Sequence, residues 1–207
     1  MNSASCLYER FLQCFGIKNR ALKFYKSHYF ANFQHLKTFR NNQNKNCIFV
    51  LIKQRIYIDT SVVGAYFDEE FEDATRRFFD RLENNEIIFV VSDLLNIELI
   101  KAPQKVRELL YNYSFDKFEL IELTEEAIKL ADTYIAEKVV GKTSIEDCRH
   151  IAMATINKVD VLASWNFKHI VNLERIKGYN SVNLRLGYQM IEIRSPKDLI
   201  NYQNGED

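Results

Sequence analysis

The stretch RIYIDTS (Arg55 to Ser61) sets an aspartate, Asp59, directly after an apolar run and follows it at once with Thr60 and Ser61. A carboxylate there is either a turn residue or a ligand, and the choice depends on where the other acids fall. Glu98 lies in a predicted helix entered straight from a second apolar run, among Ile97, Leu99 and Ile100. Asn166 directly follows a later run, VDVLASW. Two carboxylates ~4 Å apart repel by about 4 kcal/mol at an effective dielectric near 20, so an acidic cluster with apolar walls either protonates or takes up a cation. Oxygen donors select a hard ion, Mg²⁺ or Mn²⁺, over zinc. Such an ion holds a phosphodiester oxygen and acidifies a water for in-line attack. Ser61 and Thr60 stand where a hydroxyl would support a carboxylate or a metal-bound water.

The elements that must position these groups alternate strand and helix signals. Apolar, β-branched runs predict strands at RIYID and over 86–92, 117–123, 159–165 and 189–195. Helical spacing predicts helices over 71–85, over 94–102 with resumption at 104–113 after Pro103, over 125–141 and over 144–157. Residues 166–176 open a helix or a turn. Ser92 and Thr124 are expected as helix caps. Ile128, Ala131, Ile135 and Val139 are expected to line the inner face of the third of these helices. Ile145, Cys148, Ala152 and Thr155 do the same for the fourth. Helices interleaved with short apolar strands imply an α/β fold, with a mostly parallel central sheet and helices on both faces.

In such a sheet, ligands bind beyond the carboxyl ends of the strands, near the switch point. That rule sets Asp59, Glu98 and Asn166 on one edge. Asp147 begins the helix that feeds the strand before Asn166, so it reaches this edge only if the helix start folds back. Ser144-x-x-Asp147 also fits a capping box, in which the acid merely bonds the cap's backbone.

The segments YIDTSVVGAYF, SDLLNIELIKA, SIEDCRHIAMATINKVDVLASWNFKHI and NSVNLRLGYQMIEIRSP together resemble a PIN domain, from about residue 55 to about 199. The most specific part is Asp-x-x-His-Ile-Ala at Asp147 to Ala152, followed by an apolar strand ending in a polar residue. The resemblance implies a PIN-like fold and a metal-dependent ribonuclease, of the kind that includes VapC-type toxins of toxin–antitoxin pairs. Asp59, Glu98 and Asp147 would be the catalytic, metal-holding acids. Asn166 stands where many members carry a fourth acid and would complete the metal shell. An RNA substrate, a cognate antitoxin that blocks the acidic pocket with an Arg side chain, and a homodimer are the implied partners.

Other residues have a plainer competing reading. His150 lies one turn beyond Asp147, where it suits a proton shuttle or an RNA contact, but a packed histidine bonded to a neighbour fits the position better. Lys168 and His169 are candidate RNA contacts or a solvated face. Trp165 reads as core, and Glu146 and Asp160 as surface or turn acids.

The charge is unevenly divided. Residues 1–54 carry nine Lys/Arg against the single acid Glu9, whereas 55–207 carry 19 basic and 27 acidic groups, a net −8. The asymmetry predicts a basic N-terminal extension over 1–54, a domain over 55–200 and a short C-terminal tail over 201–207. The extension, with Leu7, Phe11 and Phe15 at helical spacing, reads as a transit peptide, an RNA-attracting arm or sequence upstream of the true start. The four cysteines form no CxxC pair, which points to a reducing cytoplasm. The longest apolar run, Cys47 to Ile52, is too short to span a membrane. The net −8 favours a rival reading, a PIN-like module that binds RNA or protein without cutting, because phosphate binding calls for basic surface. A phosphatase of the Asp-x-Asp type is disfavoured, since DTS lacks the second Asp.

Overall fold

The structure, a computed structural model, describes residues 53–201. The basic extension and the tail expected at the two ends lie outside them. The chain opens with β1 (Gln54–Ile58) and α1 (Thr60–Ala65), then α2 (Glu72–Glu83), β2 (Ile87–Ser92), α3 (Asp93–Leu99) and α4 (Gln104–Arg107). It continues with β3 (Phe118–Ile121), α5 (Glu125–Ala136), α6 (Ile145–Ile156), β4 (Val161–Ala163), α7 (Leu173–Arg185), β5 (Ile193–Arg194) and α8 (Pro196–Asn201).

The five strands form one sheet in the order β3-β2-β1-β4-β5, every neighbouring pair parallel. Parallel neighbours need a crossover each, and the helices supply it on both faces. The strand period of two divides the core. Ile56 and Ile58 face Phe78, Phe79 and Leu82 of α2 and Leu95 and Leu99 of α3. Tyr57, between them, faces Leu130 and Tyr134 of α5 and Ile151 and Met153 of α6. The chain steps outward from β1 to β2 to β3, then returns to lay β4 on the other side of β1. The switch point therefore lies between β1 and β4, and Asp59 and Ser164 are the first residues past those two strands.

Several elements differ from their expected form. α5 buries Ala127, Leu130, Ala131 and Tyr134. Of the face expected from sequence only Ala131 is fully buried, while Ile135 and Val139 pack at its margin. Tyr134 decides the rotation, because its hydroxyl donates to Asn183 of α7 at 2.5 Å and draws that side of the helix inward. α6 buries Cys148 and every residue from His150 to Thr155, so it is enclosed nearly all round rather than on one side. β4 and β5 are shorter than their apolar runs. Residues 166–171 form a turn, and the helix begins only after Asn172, whose side chain accepts from the Arg175 N–H. α7 then extends to Arg185 on polar inward residues: Asn183 is fully buried, and Asn180 bonds the Ile191 backbone in both directions. No helix among the described residues is long and apolar enough to cross a membrane.

Candidate active site

Asp59 is 4% exposed and serves first as the N-cap of α1. Its Oδ1 accepts from the Val62 N–H at 3.3 Å and from the Ser61 hydroxyl at 2.5 Å, and its Oδ2 accepts from the Ser164 hydroxyl at 2.6 Å. Both serines are held from the other side. Ser61 Oγ accepts from the Trp165 N–H at 2.8 Å, and Ser164 Oγ accepts from the Asn166 N–H at 2.9 Å. The end of β4 and the start of α1 are thereby laced together through one carboxylate. Burial pushes the Asp59 carboxyl above its ordinary range, against the opposing pull of the His150 charge and the three donors.

Asp147 meets this edge through Asn166, whose side-chain amide donates to Asp147 Oδ1 at 2.9 Å. The amide oxygen of Asn166 accepts from the His169 N–H at 3.1 Å, which closes the turn after β4. The first turn of α6 does fold back, then, to the carboxyl end of the sheet. The capping-box alternative is not formed, since Ser144 caps α6 without a side-chain hydrogen bond. Asp147 is half-buried. Desolvation raises its pKa, and the nearby Asp59 charge adds to the rise, while His169, His150 and the Asn166 bond oppose it.

Glu98 stands on α3, where its Oε2 accepts from the Thr60 hydroxyl and faces His150 Nε2 at 3.2 Å. Partial burial acts to raise its pKa, but the hydrogen bond and charge of His150, with Thr60 and Lys101, outweigh burial and hold it below the usual value. The two halves of the site thus differ in kind. Asp59 and Asp147 resist ionisation, and Glu98 favours it.

His150, a candidate RNA contact, is enclosed. It is 3% exposed, with Nε2 on Glu98 and Nδ1 2.7 Å from the Tyr57 hydroxyl. That hydroxyl also lies 2.8 Å from Ser92 Oγ, which accepts from the Leu95 N–H as the cap of α3. Ser92, Tyr57, His150 and Glu98 form one buried chain of polar contacts leading to the site. Lys168 is exposed on the turn, and His169 is half-buried with its Nδ1 enclosed and without a partner. Trp165 packs as expected, its ring 4.6 Å from Phe71 and its Nε1–H donating to Thr75. Glu146 pairs with Arg149 at 2.7 Å, and Asp160 accepts from the Arg55 N–H at the opposite end of the sheet.

Ser164, Tyr57 and Ser92 were not legible as site residues. Ser164 stands to β4 as Asp59 stands to β1, but an apolar run read through to Trp165 hides it inside the strand.

Among the described residues, no three His, Cys, Asp or Glu side chains are grouped to hold a metal ion. The donors therefore do not fit a closed protein cage. A hard octahedral ion asks for less, being commonly bound by one or two carboxylates while water and substrate oxygens complete its shell. Asp59 and Asp147 would be the candidates for that role on this edge.

No family model matches the chain. No curated protein matches it. Solved structures similar to it include three toxin–antitoxin complexes. A toxin–antitoxin complex from Klebsiella pneumoniae is 16% identical, with a TM-score of 0.41 over 55% of this chain and 88% of that one. VapBC2 from Rickettsia felis, bound to a DNA fragment from its promoter, is 13% identical, with a TM-score of 0.45 over 69% and 98%. DNA-bound VapBC from Salmonella typhimurium is 16% identical, with a TM-score of 0.43 over 69% and 98%.

Proposed function

We propose that this domain is an endoribonuclease of the PIN type, dependent on Mg²⁺ or Mn²⁺. One observation carries the reading: Asp147 crosses from α6 to the β1/β4 switch point and meets Asn166 there, beside the serine-held Asp59. Asp59 and Asp147 would hold the ion, with Asn166 bracing Asp147. The ion, when bound, supplies polarisation of a phosphodiester oxygen and an acidified water. Glu98, whose pKa is held low by its contacts with His150 and Thr60, adds negative charge on the same edge. Ser61 and Ser164 fix the rotamer of Asp59. The toxin role, with an antitoxin Arg entering the acidic edge and a homodimer as the working form, rests on the sequence resemblance.

The experiment is incubation of the purified protein with single-stranded RNA in Mn²⁺ and in EDTA. Cleavage in Mn²⁺ that disappears in EDTA and in Asp147→Ala supports the reading. RNA that is bound in Mn²⁺ but never cut supports the second one, a non-cutting binding module. That module is favoured by the internal bonds already made to the carboxylates of Asp59, Glu98 and Asp147.

A further inference from the structure

The turn that carries Asn166 also carries an exposed aromatic ring. Phe167 is 49% exposed. A lone exposed phenylalanine is ordinary on a protein surface, but this one is mounted rigidly. Its ring stands edge-on to Trp165, with centroids 5.9 Å apart at 64°. Trp165 is fixed by Phe71, by Thr75 Oγ1 at 3.0 Å and by its own N–H to Ser61. The turn is closed by Ile170 and Val171, whose N–H groups donate to the Asn166 carbonyl at 3.0 and 2.8 Å, and by the Asn166 cap on His169. The ring therefore loses little freedom on meeting a ligand. It sits one peptide unit, ~3.8 Å in Cα spacing, from the residue that braces Asp147, with exposed Lys168 on its other side.

We propose that Phe167 is a stacking platform for the unpaired base of the nucleotide beside the scissile phosphate, with Lys168 on the adjoining phosphate. The proposal rests on the ribonuclease reading of this edge and names its substrate as single-stranded RNA, since only an unstacked base offers a free face to an aromatic ring. Charge decides which force does most. Residues 55–207 carry a net −8, so phosphate attraction by these residues is weak and stacking is the main force this edge can add.

The test uses the full chain in EDTA with short single-stranded RNA oligomers carrying 2-aminopurine at successive positions. Fluorescence quenching is expected at one position only. Phe167→Ala should abolish that quenching and weaken binding by roughly 5- to 150-fold. Phe167→Tyr should retain both. Phe167→Leu, apolar but without a π face, should behave like the alanine variant, and it guards against a trivial folding effect. Equal binding by wild type and Phe167→Ala, or full retention by Phe167→Leu, overturns the proposal. So does the absence of quenching at every position, which would leave the ring to a protein partner. Cleavage of unlabelled RNA in Mn²⁺ is scored separately. Quenching without cleavage removes the nuclease reading and keeps the platform, and cleavage indifferent to Phe167 does the reverse.

Discussion

Asn166 binds Asp147 and His169 at once, donating from Nδ2 to Asp147 Oδ1 at 2.9 Å and accepting at Oδ1 from the His169 N–H at 3.1 Å. Both ends of the amide are in use. A carboxylate at this position keeps the acceptor for His169 but sets two like charges where a hydrogen bond was. Asn166→Asp should therefore lower the melting temperature of the metal-free protein. The cost is of the order of 1 kcal/mol or more, because both groups are only partly buried and solvent screens the ~4 kcal/mol bound for such a pair. Mn²⁺ should restore that loss and more, since a divalent ion outweighs a like-charged neighbour at similar distance. Melting curves in EDTA and across a Mn²⁺ titration decide it. An equal Mn²⁺ response in wild type and variant would remove residue 166 from the ion's surroundings.

The raised pKa values of Asp59 and Asp147 make a statement about pH. A carboxyl whose folded pKa exceeds its unfolded value binds protons more tightly when folded. The stability this gives is fully present below the unfolded value, 3.8 for Asp, and is lost as pH rises through the folded one. Glu98 runs the other way: its contribution is present above the ordinary value of 4.5 and is lost as pH falls through its lowered folded value. Asp59→Asn removes one raised group and keeps its size. In EDTA the stability of the variant relative to wild type should rise as pH climbs from about 4 towards neutrality, because only wild type must then ionise a buried carboxyl. Urea denaturation at several pH values is the measurement. A gap that stays constant with pH would mean that Asp59 carries no proton-linked strain. The same variant should lose the Mn²⁺-induced stabilisation.

What the sequence made legible follows physical range. Strands β1 and β2 and helices α2 and α6 were readable because alternation and the 3.6 period are local signals, and the caps at Ser92 and Thr124 form as expected. The edge holding Asp59, Glu98 and Asn166 follows from the parallel order alone. Asp147 did not follow from it, since the return of α6 to that edge is held by the long-range bond to Asn166, which no local pattern encodes. The rotation of α5 escaped for a similar reason: the Tyr134–Asn183 bond joins residues 49 apart. Ser164 and Tyr57 look like ordinary strand residues until their neighbours across the sheet are known.

Tyr57→Phe tests the buried polar chain. The ring is fully buried and its hydroxyl is the shared partner of Ser92 and His150. Phenylalanine fills the same space, so the loss is polar rather than steric. Ser92 keeps its bond from the Leu95 N–H, but His150 Nδ1 is left enclosed without a partner. That costs about 1–3 kcal/mol, which urea denaturation reads directly. Cleavage should fall as well, because His150 holds Glu98. Full stability in the variant would mean that a water replaces the hydroxyl and that the chain contributes nothing.

Asp147→Ala separates chemistry from folding. As the acid of a capping box, Asp147 would stabilise α6, and its loss would show mainly as melting. Its side chain instead accepts from Asn166, while Ser144 makes no side-chain cap. Deleting a half-buried carboxylate whose pKa is raised removes a desolvation cost along with that bond, so the two changes largely offset. The melting temperature in EDTA should move by no more than a few degrees, equivalent to about 1 kcal/mol for a domain of this size. RNA cleavage in Mn²⁺ should fall by roughly 10²- to 10⁴-fold, since losing one of two carboxylates that hold the ion costs several kcal/mol at about 1.4 kcal/mol per tenfold. Raising Mn²⁺ should recover part of that loss, because the remaining site is weakened rather than destroyed. A variant that melts much earlier yet cleaves at the wild-type rate would return Asp147 to a structural role. A variant inactive at every Mn²⁺ concentration, with its fold intact, would mean that the carboxylate handles the reacting atoms themselves as well as the ion.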